Sequence, residues 1–115
     1  IERCVDGARA HQAAALARRV TETVKRSNSS DFTESSISRD QLWLMETPQV
    51  FETELLKSAY ATVSRDALSI TDEVSALEAI GKPTKLIEAS HPNLKITTRS
   101  DLVLANALFH SSKSV

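Results

Sequence analysis

Arg39-Asp40-Gln41-Leu42-Trp43-Leu44-Met45-Glu46-Thr47-Pro48-Gln49 sets a cation, the chain's single tryptophan and a proline preceded by threonine in one short stretch. Thr47-Pro48 reads as an N-cap followed by proline at the first helical position, where its missing N–H costs nothing. Val50, Phe51, Leu55, Leu56, Ala59, Tyr60 and Val63 recur at helical spacing, which predicts a helix opening at Pro48 and ending near Ser64 to Ala67. Such an N-terminus offers an anion free backbone N–H groups and the positive end of a dipole. Arg39 adds a planar fork matched to two phosphate oxygens. The plainer reading of the same residues is a capped helix with a surface arginine. Both stay open at this point.

Upstream, Ile1 to Ala10 has the spacing of an amphipathic helix, with Ile1, Cys4, Val5 and Ala8 on one face and Gly7 weakening it. Ala13 to Ala17 is small and apolar, fit for a buried strand or more helix. Arg18 to Arg26 alternates, with Val20 and Val24 on one face, and reads as a strand. Ser27 to Ser36 is polar and serine-rich, a loop or the tip of an extended arm, and Ile37 restarts a short strand.

Downstream, Thr71 is the expected N-cap of a helix with acidic residues in its first turn and with Val74, Leu77 and Ile80 facing inward. Gly81 and Pro83 stop it. Thr84 to Ala89 is a short strand, Ser90 to Asn93 a turn, and Leu94 to Thr97 another strand. Thr98 to Asp101 caps a last helix bearing Leu102, Val103, Leu104, Ala107 and Leu108. Strands alternating with helices predict an α/β layer and exclude a bundle or sandwich. No internal repeat is present.

The 115 residues suit one domain with a modest core. A hydrophobic fraction of 41% and a charged fraction of 25% are those of a soluble globular chain. A net charge of −1 gives no pull toward nucleic acid or anionic membranes. No apolar run reaches the length of a membrane span, and no signal peptide is visible. Cys4 stands alone, so no disulfide framework or cysteine-rich metal site is expected, and a reducing cytoplasmic setting is the default. With only Gly7 and Gly81, no glycine-rich phosphate loop can be built. The opening at Ile1 reads as if already inside an element, as in a fragment.

Five short motifs then occur in register: Lys25-Arg26, Arg39 to Trp43, Thr47 to Phe51, Ile70 to Glu73, and Asn93 to Thr97 before a capped helix. The set resembles the 2-C-methyl-D-erythritol 4-phosphate cytidylyltransferase family, over about Ile1 to Phe109 and over the C-terminal half of such an enzyme only. The resemblance implies a Rossmann-like nucleotidyltransferase fold, a three-layer α/β sandwich, of which residues 1–115 would be the C-terminal part. The family's glycine-rich CTP-binding segment does not occur here. Val5-Asp6-Gly7-Ala8-Arg9-Ala10 mimics the family's metal-binding His-Asp-Ala-Ala-Arg-Pro, but it lacks the histidine, the proline and a preceding apolar strand. Helix is the reading of those residues that needs no deletion.

By the same resemblance, residues 20–39 form a projecting β-arm through which two subunits embrace, completing each other's site. Thr23 and Arg39 then reach toward the neighbour's methylerythritol phosphate, Thr47 adds a hydroxyl in the same substrate region, and Thr71 lines the pocket. Lys95 contacts the substrate and the reacting phosphate, and is the catalytic candidate. Arg18-Arg19 stands where the family usually has a proline before the strand. The implied reaction transfers CMP from CTP to 2-C-methyl-D-erythritol 4-phosphate and releases pyrophosphate. Mg²⁺ is the implied cofactor, with its ligand outside this chain, which alone is expected to be inactive and to fold poorly.

Each residue also has a plainer reading. Arg39 and Lys95 are cations of a kind that commonly just keeps a surface soluble. Thr47 and Thr71 are caps under either reading, and Trp43 is packing beneath the site rather than a stacking platform. His11, His91 and His110 share no ligand spacing. Two alternatives remain: a cytidylyltransferase acting on ribitol 5-phosphate or another polyol phosphate, and a non-catalytic α/β dimerisation module.

Overall fold

Ala13-Ala14-Ala15-Leu16-Ala17 is strand, and its alanines at 13, 14, 15 and 17 are fully buried. Burial on both faces requires elements on both sides, and the rest of the fold supplies them. The computed structural model describes residues 1–91, 93 and 96–113. They run as α1 (Glu2–His11), β1 (Ala13–Arg19), β2 (Val24–Ser27), β3 (Thr33–Ile37), β4 (Trp43–Phe51), α2 (Thr53–Arg65), α3 (Glu73–Ala79), β5 (Lys85–Glu88) and α4 (Arg99–Lys113). A mixed sheet of order β4-β1-β5 has β4 antiparallel and β5 parallel to β1. The fold is α/β, as the alternating pattern predicts.

The helix at the start is present, so Val5 to Ala10 is helical and not the end of a strand. Cys4 is its buried residue, whereas Ile1, expected on the same face, is 84% exposed. Gly7 has a packing reason. A Cβ there would stand 3.0 Å from the Cβ of Ala14 and 3.1 Å from Cδ1 of Ile87, so glycine lets α1 lie closely on β1 and β5. On the other side of the sheet, Ala13 packs with Ala59 of α2 and with Ala76 and Leu77 of α3. Phe51, Leu55, Leu56, Val63, Ile70 and Ile80 are half-buried around them.

Several expectations are corrected. The first is the helix at Pro48. Thr47 and Pro48 lie inside β4, joined by a cis peptide bond, and Val50 and Phe51 pair with Ala14 and Ala13. The register slips here, since Ala15 opposes Gln49 but Ala17 opposes Met45, leaving Glu46 to Pro48 as a bulge. A proline without an N–H is tolerated where the ladder is already interrupted. The helix begins at Thr53, capped by Glu52, whose carboxylate accepts from Glu54 N at 3.2 Å and Leu55 N at 2.7 Å. Its predicted end holds.

The second is the strand from Arg18 to Arg26. The chain leaves the sheet after Arg19, with Val20 N–H still donating to Leu42 O at 3.1 Å, and β2 pairs instead with β3 as a separate two-stranded ribbon. Thr33 to Ser36, expected as loop or the tip of an extended arm, is strand, and Ile37 ends β3 rather than starting a new one. Only Val24 and Ile37 of the ribbon are half-buried, so both its faces are solvated and serine and threonine suit it. Its tip turns at Asn28, whose Oδ1 accepts from Ser30 N and Phe32 N at 2.9 and 3.1 Å.

The third is the cap at Thr71, which moves one residue. Asp72 is the N-cap of α3, accepting from Ser75 N at 2.8 Å, while the Thr71 hydroxyl lies 2.9 Å from Ser75 Oγ. The helix stops as predicted at Gly81, at φ 75°. Gly81 N–H and Lys82 N–H close it on Glu78 O and Leu77 O. The cap on α4 also stands: Asp101 N–H donates to Thr98 Oγ1, and Thr98 N–H to Asp101 Oδ2, both at 3.1 Å. Of the strand expected over Leu94 to Thr97, Leu94 and Lys95 lie outside the described residues. Ile96 and Thr97 are not strand, and Thr97 donates both its N–H and its hydroxyl to Asp101 Oδ2.

Candidate functional site

The parallel strand β5 ends at Glu88, opposite Ala17, while β1 runs on to Arg19, and loops leaving the carboxyl ends of such strands are where α/β sheets hold ligands. Ala89 N–H donates to Ala17 O at 2.8 Å, keeping the chain against β1 as it leaves β5. Asn93 Nδ2 then donates to the carbonyl of Thr47, so the loop after β5 is pinned to the bulge of β4. Between them opens a groove of about 740 Å³, walled by Leu44, Met45 and Glu46 of β4, by Ala89 to His91 and by Leu104 and Leu108 of α4. Arg18 and Asn93 line it as well. One Glu46 carboxylate oxygen, Oε1, is buried there without a hydrogen-bond partner.

A second cavity, of about 380 Å³, lies where the ribbon leaves the sheet. Thr23 lines it with Val20, Thr21, Glu22, Leu42 and Trp43, and it shares Arg18 and Leu44 with the first. Arg39, in the turn after β3, donates through Nη1 to the carbonyl of Thr21, and Leu42 N–H donates to Arg39 O at 3.1 Å. The outgoing link 20–23 and the returning turn 38–42 are thereby held side by side. The two cavities follow β4 from the ribbon's root to the Thr47 bulge.

Of the residues expected from sequence, Thr23 lines the second cavity, while Arg39 lines neither and is tied to the root through the Thr21 carbonyl. Thr47 is exposed on the bulge, where Glu46 to Pro48 stand opposite Leu16 alone and side chains can be aimed away from the regular ladder. Its backbone is not a helix N-terminus, so the anion site expected there does not form. Thr71 stands apart, at the start of α3 against α2, and lines neither cavity. Lys95 lies outside the described residues. Trp43 is half-buried with one ring face covered by the Arg19 guanidinium, 4.4 Å from the ring centroid. That contact leaves no open platform for a base on that face.

Sequence reasoning missed Arg18, Glu46, Ser90, His91 and Asn93 as groove residues. For Ser90 and His91 the available signal was their position after the carboxyl end of a parallel strand, Arg18 and Glu46 lie within strands and gave none, and Asn93 was read as part of a turn and of the Asn93 to Thr97 motif. Among the described residues no group of three His, Cys, Asp or Glu side chains is arranged to hold a metal ion. Glu46 offers the groove a single carboxylate, so these residues do not fit a complete Mg²⁺ site. No helix among them is long and apolar enough to cross a membrane.

Residues 1–111 match the family model described as 2-C-methyl-D-erythritol 4-phosphate cytidylyltransferase. The enzyme of that name from Desulforamulus reducens is 39% identical over 107 residues, covering 93% of this chain and 46% of the relative. The chloroplastic enzyme of Oryza sativa is 36% identical over 110 residues, covering 96% of this chain and 37% of the relative. The crystal structure of the Thermus thermophilus enzyme superposes with a TM-score of 0.79 at 33% identity, over 92% of this chain and 52% of that one. The Francisella tularensis enzyme gives a TM-score of 0.79 at 35% identity, over 94% of this chain and 52% of its own. The chain spans about half the length of the curated relatives it matches.

Proposed function

The chain belongs to the 2-C-methyl-D-erythritol 4-phosphate cytidylyltransferase family, and from that membership we propose that it is the C-terminal portion of an enzyme transferring CMP from CTP to 2-C-methyl-D-erythritol 4-phosphate. The observation that carries this reading is the family match over residues 1–111, which takes in every substrate-binding candidate named from sequence. In-line attack of one phosphate on the α-phosphorus of another joins two anions, so positioning and charge stabilisation are the protein's task. Arg39 suits the attacking phosphate because its guanidinium offers parallel donors at fixed spacing. One of its nitrogens donates to Thr21 O, which fixes the orientation of the rest of the fork. Lys95 suits a compact charge beside the pentacoordinate centre.

The β2–β3 ribbon serves as the arm of a homodimer, carrying Thr23 and Arg39 toward the partner's substrate. Its separation from the sheet supports this reading, as does a radius of gyration of 17.4 Å, against about 13 Å for a compact domain of this length. Thr47 adds its hydroxyl from the bulge, whereas Thr71, beside neither cavity, enters this reading only through the family segment Ile70 to Glu73. The glycine-rich CTP-binding half is supplied from outside this chain. Mg²⁺ accompanies CTP, with its protein ligand outside the described residues, and the enzyme works in the cytoplasm. The 115 residues alone are inactive.

The test uses the native gene product that contains these residues, with CTP, Mg²⁺ and either methylerythritol phosphate or ribitol 5-phosphate. Pyrophosphate release and a cytidylated methylerythritol are the expected outcome. Equal rates on ribitol 5-phosphate would shift the substrate to a broader polyol phosphate class, and no product with either would leave a non-catalytic dimerisation module.

A further inference from the structure

We infer that Arg19 is a positioning residue: held between Trp43 and Glu88, it fixes where the chain leaves the sheet and so sets Thr23 and Arg39 relative to β4. Arg19 and Trp43 are opposite each other in the β1–β4 register, and the guanidinium carbon lies 4.4 Å from the ring centroid. On the other side, Arg19 Nε is 3.5 Å from Glu88 Oε2 at the end of β5. One side chain on the central strand thus touches both outer strands at their shared end.

The chain beyond Arg19 has little else to hold it. Thr21, Glu22 and Thr23 are exposed, and among the described residues the ribbon after them pairs only with itself. The root hangs on three bonds: Val20 N–H to Leu42 O, Leu42 N–H to Arg39 O, and Arg39 Nη1 to Thr21 O. Leu42 joins two of them and precedes Trp43 directly. Holding Trp43 therefore holds Leu42, and through it both the outgoing link and the turn that carries Arg39. Arg19 is 60% exposed and Glu88 56%, so the ion pair by itself is a weak restraint. The guanidinium seated over the indole supplies the orientation, which an ammonium group would not reproduce.

The functional consequence rests on the cytidyl-transfer reading, while the geometry does not, and the test separates the two. Arg19→Ala and Arg19→Lys are made in the native gene product, and amide exchange at Val20 and Leu42 is followed with α2 and α3 amides as the folding control. Arg19→Ala is expected to speed exchange at both root amides by about tenfold while the controls hold, with Arg19→Lys between it and wild type. The indole N–H resonance of Trp43 is expected to shift in Arg19→Ala as the ring loses its cover. In turnover, KM for the polyol phosphate is expected to rise about tenfold with KM for CTP unchanged. Unchanged exchange at Val20 and Leu42 in Arg19→Ala would overturn the clamp. Faster exchange with an unchanged polyol KM would overturn the positioning role. A wild-type product without turnover would remove the cytidyl-transfer reading, and the exchange data would then decide the clamp alone.

Discussion

Gly7 and Arg39 show two ways in which a single residue can and cannot be read from sequence. Gly7 scored against its helix by propensity, yet it is the point where α1 meets β1 and β5 most closely. Its φ is not the reason; the space is. Gly7→Val is therefore expected to destabilise the chain by about 2 kcal/mol, because the added methyls meet the Ala14 Cβ and the Ile87 side chain. Chemical denaturation with tryptophan emission as the probe checks this, and an unchanged midpoint would show that α1 can move outward freely. Arg39 was legible as a phosphate candidate from its chemistry, but the carbonyl that holds it, Thr21 O, lies across the ribbon and carries no sequence signal. Arg39→Lys in the native gene product is expected to lower kcat/KM for the polyol phosphate by about 100-fold, since a point charge replaces a fixed fork. A loss of less than threefold in steady-state assays, about 0.6 kcal/mol or less, would place Arg39 outside the site.

At the scale of elements, local signals were read correctly where the deciding partner was close in sequence. The stop of α3 at Gly81 and the cap of α4 at Thr98 and Asp101 need only residues within one turn. Thr47-Pro48 failed because the pair has two meanings, a helix start or a strand bulge, and the alanines that choose between them are at 13 to 15. The true cap, Glu52, was hidden because glutamate is not a preferred N-cap residue. Glu52→Ala leaves Glu54 N and Leu55 N without a side-chain acceptor and is expected to cost about 1 kcal/mol, measured by thermal unfolding. The α4 cap adds a pH dependence. Hydrogen bonds from the Thr97 backbone and hydroxyl, then from Thr98, hold the Asp101 carboxyl below its ordinary value. A folded pKa depressed in this way contributes stability that is present above the unfolded pKa and lost as pH falls through the folded one. Amide shifts at Leu102 and Val103 should therefore report a loosened first turn only below about pH 4. Asp101→Asn should abolish that acid step, and a step that survives it would belong to another group.

The whole molecule joins elements whose pairing no local pattern announces. Asn93 reaches the Thr47 carbonyl across 46 positions, and the groove between them depends on α4 returning to β4. Those contacts are long-range, which is why the groove was not foreseen although its α/β class was. The same assembly exposes apolar surface: Leu44 and Met45 on β4, an edge strand among the described residues, and Leu102, Val103 and Leu104 on α4. Pairing along that edge is blunted at Glu46 to Pro48 by the bulge and the proline, so apolar side chains rather than a continued ladder are the adhesive surface. The 115-residue polypeptide expressed alone is therefore expected to run above monomer mass in size exclusion with light scattering. Met45→Lys, at a position 40% exposed, should shift it toward monomer without lowering the unfolding midpoint, because the long stem can lie on the groove wall with its charge in water. A wild-type chain that stays monomeric at NMR concentrations would show that the Leu44–Met45 surface and α4 already satisfy each other across the groove.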